Sequence, residues 1–179
     1  MKGIILLADY FEDTEAITTI DILRRAEIKI DLVSLCEKIL KTQTGLNIEA
    51  DFLFTDVDYK DYDFLVIPGG KAVFKTLVNL KVIDEVIKDF NGKGKLIATI
   101  CAAPYLPGRL GLFKDGKYTC FPGCDEGVEG KNTRKGVTVY KNLITGKSMA
   151  YTVDFALAIV EYLEGLVKSK KIDNQIHGE

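Results

Sequence analysis

The sequence predicts an α/β fold, an α/β/α sandwich of one domain built on a mostly parallel central sheet. Three observations predict it. Short apolar runs suited to buried strands alternate with stretches whose apolar residues recur at helical spacing, as in parallel strands joined by crossover helices. The 179 residues suit one domain with a core large enough to need no staples. No repeat, linker or low-complexity block marks a second domain, so residues 1–167 are expected to form the domain and 168–179 a polar, frayed C-terminal tail.

The elements follow in order. Gly3–Ala8 is an apolar run for a central strand, and Asp9–Thr14 a polar connection. Thr14–Ala26 carries Ile17, Ile20 and Leu23 at helical spacing, with Thr14 as N-cap and Arg24 and Arg25 toward the negative end of the dipole. Ile28–Leu35 alternates as a strand. Leu40–Phe54 reads as extended chain forming a hairpin around Gly45. Phe64–Ile67 is a buried strand ended by Pro68-Gly69-Gly70, and Lys71–Phe90 a helical pattern in two pieces. Gly92-Lys93-Gly94 turns the chain into the strand Lys95–Ile100. Pro104–Leu110 is a short helix broken at Pro107-Gly108. Val137–Tyr140 and Leu143–Thr145 are short strands. Ala150–Val167 is an amphipathic helix with Val153, Leu157, Val160 and Leu163 near one stripe.

Composition narrows the function. With 47% apolar and 28% charged residues and a net charge of -2, the chain implies no basic face, so neither nucleic acid nor an anionic membrane is expected as partner. No apolar stretch approaches the length needed to span a bilayer. Met1-Lys2-Gly3 leads into a strand-like run with no signal-peptide pattern, so a cytoplasmic location with reduced thiols is expected. Cys120 and Cys124 form Cys-x-x-x-Cys, but Cys36 and a tail histidine complete no convincing set of four ligands, and no metal site is expected.

The chemistry centres on Cys101, placed where Leu96–Ile100 gives way to Ala102-Ala103-Pro104 and a helix start. A thiol there faces the positive end of a helix and unpaired amides, which favour the nucleophilic thiolate. The placement is that of a strand–nucleophile–helix elbow, although Gly-x-Ser-x-Gly itself is absent. A buried structural cysteine is the competing reading. In parallel sheets the site lies at the carboxyl ends of strands. Three such ends are Ala8–Glu15, Ile67–Gly70 and Ile100–Ala102. Gly69 and Gly70 would let amides approach a ligand and, with the amide of Ala102, form an oxyanion hole; a plain turn is the alternative. Glu12 and Asp13 read as dipole compensation and solubility. Glu15 could turn inward, where a buried carboxyl stays protonated and serves as donor or acid/base beside Cys101.

Four segments, Ala8…Glu15…Asp21–Ala26, Val66–Gly70, Ala98–Pro104 and Phe155–Glu161, resemble the ThiJ/PfpI superfamily, and within it the branch of parkinsonism-associated protein deglycases. The likeness runs in order from Lys2 to about Gly165. It implies a flavodoxin-like sandwich, usually a homodimer, with Cys101 as the reactive cysteine and Glu15 as its hydrogen-bonding partner. Gly69, Gly70 and Ala102 match the surrounding backbone pocket. The activities it implies are glyoxalase and deglycase chemistry on small reactive carbonyls without a cofactor. A redox sensor or chaperone acting through oxidation of Cys101 is the alternative, and an intracellular peptidase a third.

One departure matters. Phe121 stands where some members carry a histidine near the cysteine, and His177, the only histidine, lies in the tail. A Cys-His triad is therefore unsupported, which weakens amide hydrolysis more than carbonyl chemistry. Candidate accessory residues are Cys120 as a resolving thiol, against the favoured reading of two ordinary reduced thiols at Cys120 and Cys124; Phe121 by position; and Lys147 as a contact for an anionic group, against the favoured reading of a solvated lysine.

Overall fold

The apolar runs become the strands of one seven-stranded sheet in the computed structural model, which describes residues 1–179. In chain order the elements are β1 (Lys2–Leu7), α1 (Asp13–Arg25), β2 (Lys29–Ser34), β3 (Ile39–Lys41), β4 (Asn47–Glu49), β5 (Phe52–Leu53) and β6 (Phe64–Ile67). Then come α2 (Ala72–Lys75), α3 (Lys81–Gly92), β7 (Leu96–Ile100), α4 (Tyr105–Arg109), β8 (Lys117–Tyr118) and β9 (Lys131–Asn132). β10 (Val137–Tyr140), β11 (Leu143–Gly146), α5 (Thr152–Glu164) and α6 (Leu166–His177) complete the chain.

The main sheet runs β10-β11-β7-β6-β1-β2-β5, parallel except for the antiparallel edge pair β10–β11. Its interior order, β2-β1-β6-β7-β11, is the doubly wound order of flavodoxin-like folds. Such a sheet is buried on both faces, so β6 and β7 are buried at every position. α5 packs against both α1 and α6, whereas α3 packs on β7 and α4. The chain winds outward from β1 to β2 and β5, then returns to β6 on the other side of β1. The crevice beyond the carboxyl ends of β1 and β6 is thus the switch point where such folds place their sites.

Most elements match the sequence reading, with four differences. Helix α1 begins at Asp13, because Glu12 rather than Thr14 is its N-cap: the Glu12 carboxylate accepts the Glu15 N–H at 2.7 Å. Asp13 is buried rather than solvating, and accepts from Thr42 at 3.1 Å and from Thr44, which ties α1 to the β3–β4 hairpin. Helix α4 runs through Pro107-Gly108 without a break. Pro107 sits in the first turn, where its missing N–H has no intrahelical partner to lose.

The last difference is at the C-terminus. The amphipathic helix stops at Glu164, and Gly165, at φ 88°, turns the chain into α6. Val153, expected in the apolar stripe, is 38% exposed, and the buried face is formed by Phe155, Ala156, Ile159 and Val160. Residues 168–179, read as frayed, instead form most of α6. Ile172 is 1% exposed, and the Ser169 hydroxyl donates to the Leu157 carbonyl at 3.0 Å. Ile172 and Ile176, four residues apart and so on one face, dock the helix on the core although its composition is polar.

Docking of α6 sets a stability prediction. Ile172→Ala is expected to lower the unfolding free energy by about 2–4 kcal/mol, against under about 0.5 kcal/mol for exposed Lys171→Ala. Urea denaturation of both variants measures it, and equal midpoints would contradict a docked α6.

Candidate active site

The last buried residue of β7 is Ile100, and the chain then turns sharply at Cys101. Cys101 has φ 64°, a left-handed conformation that strains any residue with a side chain. Two backbone hydrogen bonds hold it there: the Cys101 N–H donates to Gly146 O at 2.9 Å, and the Phe121 N–H donates to Cys101 O at 2.8 Å. The elbow expected from the sequence is present, and the thiol is half-buried. Its helix differs from the expectation. α4 starts only at Tyr105 and has five residues, so its dipole contributes little at the sulfur. The amides of Gly70 and Ala102 are the groups that face the thiol.

Glu15, in the first turn of α1, points inward and is 1% exposed. Its Oε2 accepts the Gly69 N–H at 2.8 Å. Its Oε1 is buried without a close partner, and the carboxyl lies within hydrogen-bonding reach of the Cys101 thiol. Gly69 must be glycine at this junction. A Cβ there would lie 2.6 Å from Cys101 Cβ and 2.8 Å from Glu15 Oε2. Gly70, at φ 91°, bridges to Phe11, and a Cβ would meet Glu12 N at 2.5 Å and Tyr10 O at 2.6 Å. The Gly69 amide, expected to join the oxyanion hole, is instead committed to Glu15, leaving Gly70 and Ala102 as the donors beside the sulfur.

Burial pushes the Glu15 carboxyl up to about 7, outweighing the lowering effect of its bonds to Gly69 and Cys101. Burial also pushes the Cys101 thiol up, and the Glu15 carboxylate adds to this by charge and hydrogen bonding, while the amides of Gly70 and Ala102 pull it down. The thiol is therefore not anionic on account of its helix, as the sequence reading has it. The repulsion from Glu15 exists only while that carboxyl is charged. Near neutrality the pair shares its protons, and a proton kept on Glu15 both removes the repulsion and supplies a donor to the sulfur.

Cys101 and Glu15 open onto one cavity of about 540 Å³, with Gly70 and Ala102 in its wall. Phe121 lines it too, in the position read as lacking a histidine, so no imidazole reaches the sulfur. Cys120 and Lys147 do not line it. They border a separate polar cavity of about 410 Å³ with Asp125, Asn132 and Arg134. Cys120 and Phe121 are adjacent in sequence, yet they line different cavities. Cys124, not Cys120, shares the cavity of Cys101. His177 ends α6, bonded to Asp173 and 62% exposed. Sequence reasoning missed Gln43, Lys71, Phe74 and Met149 in the cavity wall. None carries a local signal, since a turn and a short helix place them. No group of three or more His, Cys, Asp or Glu side chains is arranged to hold a metal.

A family model described as DJ-1/PfpI family matches residues 1–162. The chain is 32% identical over 172 residues to the glutathione-independent glyoxalase DJR-1.2 of Caenorhabditis elegans, covering 94% of this chain and 91% of that protein. It is 30% identical over 123 residues to a deglycase of Pyrococcus abyssi, covering 69% and 74% of the two. It spans 41% of Protein DJ-1 homolog B of Arabidopsis thaliana, at 29% identity. Among solved structures, a mutant of a DJ-1 superfamily protein from Salmonella typhimurium superposes with a TM-score of 0.91 at 30% identity, covering 99% of this chain and 98% of that one.

Gly69→Ala is expected to slow alkylation of Cys101 by iodoacetamide at least tenfold while leaving the circular dichroism of the fold intact, because the added methyl separates the end of β6 from both site residues. The Glu15 carboxyl is expected to titrate near 7 by carbon-13 NMR, and Cys101→Ala to move that midpoint upward, since burial stays while one lowering hydrogen bond goes.

Proposed function

The chain belongs to the DJ-1/PfpI family, and from that premise we propose that it is a cofactor-independent enzyme of glyoxalase or deglycase type, acting on small 2-oxoaldehydes or their early adducts. The observation that carries the reading is the strained Cys101 elbow with Glu15 beside it and two free amides facing the sulfur. The thiolate adds to the aldehyde carbon to form a hemithioacetal. The developing oxyanion is received by the Gly70 and Ala102 amides. Glu15 then carries the aldehyde-carbon proton to the neighbouring carbon through an enediol, a task suited to a carboxyl titrating near 7. This leaves a thioester of the 2-hydroxy acid on Cys101, and water cleaves its C–S bond to release the acid and return the thiol. Conversion of a 2-oxoaldehyde and water to a 2-hydroxy acid oxidises one carbon and reduces its neighbour, so the net reaction needs no external electron carrier. A second copy of the chain is the partner in this reading; Ile17 on α1 and Val153 on α5 are partly exposed apolar side chains such a partner would cover.

Redox sensing is the second reading. The same two amides would hold the oxygens of a Cys101 sulfinate. Amide hydrolysis is the weakest, because no second acid lies beside Cys101 to protonate a leaving amine while Glu15 serves the thiol.

Methylglyoxal turnover tests the first reading. Cys101→Ala is expected to show none above the buffer rate, and Glu15→Gln to fall by about a hundredfold or more. Wild-type turnover equal to that of both variants would overturn the proposal.

A further inference from the structure

The cavity above Cys101 is larger than the smallest oxoaldehyde requires. Its volume of about 540 Å³ lies in the range that buries a ring-bearing ligand, whereas methylglyoxal places a single methyl group there. Two of its polar members are already engaged. Glu12 Oε2 accepts the Glu15 N–H at 2.7 Å, and Gln43 Oε1 accepts the Lys71 N–H at 2.9 Å. The apolar wall is unengaged: Phe74 and Phe121 are each 46% exposed and Met149 is 51% exposed. Phe74 is braced by Tyr105, ring centroids 5.1 Å apart, and Phe121 is anchored by its N–H on the Cys101 carbonyl at 2.8 Å. Phe121 therefore lines the same cavity as the reacting sulfur and presents it with an apolar ring that carries no ionisable group.

We propose that Phe121 is a specificity-determining residue, and that this cavity selects 2-oxoaldehydes bearing an apolar, ring-sized substituent on the ketone carbon. The inference rests on the carbonyl reading above. With the aldehyde carbon at Cys101, the neighbouring ketone carbon projects its substituent into the rest of the cavity, against Phe121. A ring there buries more apolar surface than a methyl group, against Phe121 and within the same cavity as Phe74, which Tyr105 braces.

The experiment compares kcat/KM for phenylglyoxal and methylglyoxal, each divided by the rate at which that aldehyde adds to a small thiol in water. The wild type is expected to favour phenylglyoxal by about tenfold or more. Phe121→Ala is expected to bring the ratio close to one, chiefly through KM for phenylglyoxal, and Phe121→Leu to keep an intermediate preference. Turnover of methylglyoxal without a phenylglyoxal preference, or a preference unchanged in both variants, overturns this inference while leaving the carbonyl reading intact. Absence of turnover with either aldehyde overturns both.

Discussion

The hydrogen bond from the Gly69 amide to Glu15 Oε2, 2.8 Å long and fully buried, is the contact on which the site depends. It ties the end of β6 to the first turn of α1. It also removes one amide from catalytic use and leaves the other carboxyl oxygen without a protein partner. A buried carboxylate held by one amide and one thiol, with no cation beside it, is poorly solvated, so burial keeps the group's pKa raised. The thiol of Cys101 is the only chemically active group placed to share that proton. Sequence, local geometry and electrostatics meet at a position where a single added methyl would collide with both reacting side chains.

The sheet explains why those groups meet. β1, β6 and β7 are neighbours in space although far apart in sequence, and their carboxyl ends deliver Glu15, Gly69 and Cys101 to one crevice. β11 takes part as well: its last residue, Gly146, accepts the Cys101 N–H. The elbow is thus built across three adjacent strands and locked by the segment carrying Phe121.

Much of this was legible in the residues. Strand positions were marked by apolar runs bounded by glycine and proline, the family by four motifs in register, and the site by a cysteine at a strand end and a carboxyl at a helix start. Three things were not. The docking of α6 was hidden because Ile172 stands among lysines and a polar composition looks frayed. The separation of Cys120 and Cys101 into different cavities depends on the tertiary placement of the segment after β8, which no local pattern reports. The proton sharing between Cys101 and Glu15 depends on burial, and no local pattern reports how much solvent a carboxyl keeps.

The left-handed backbone at Cys101 has a consequence beyond reactivity. That conformation persists only while its two hydrogen-bond partners, Gly146 and Phe121, stay in place. If either loosens, the residue can relax into an ordinary right-handed turn and withdraw its sulfur while every strand remains paired. Heat or mild denaturant would then silence the thiol before the secondary structure melts, so the working lifetime of such a protein is set by a local rearrangement rather than by global unfolding.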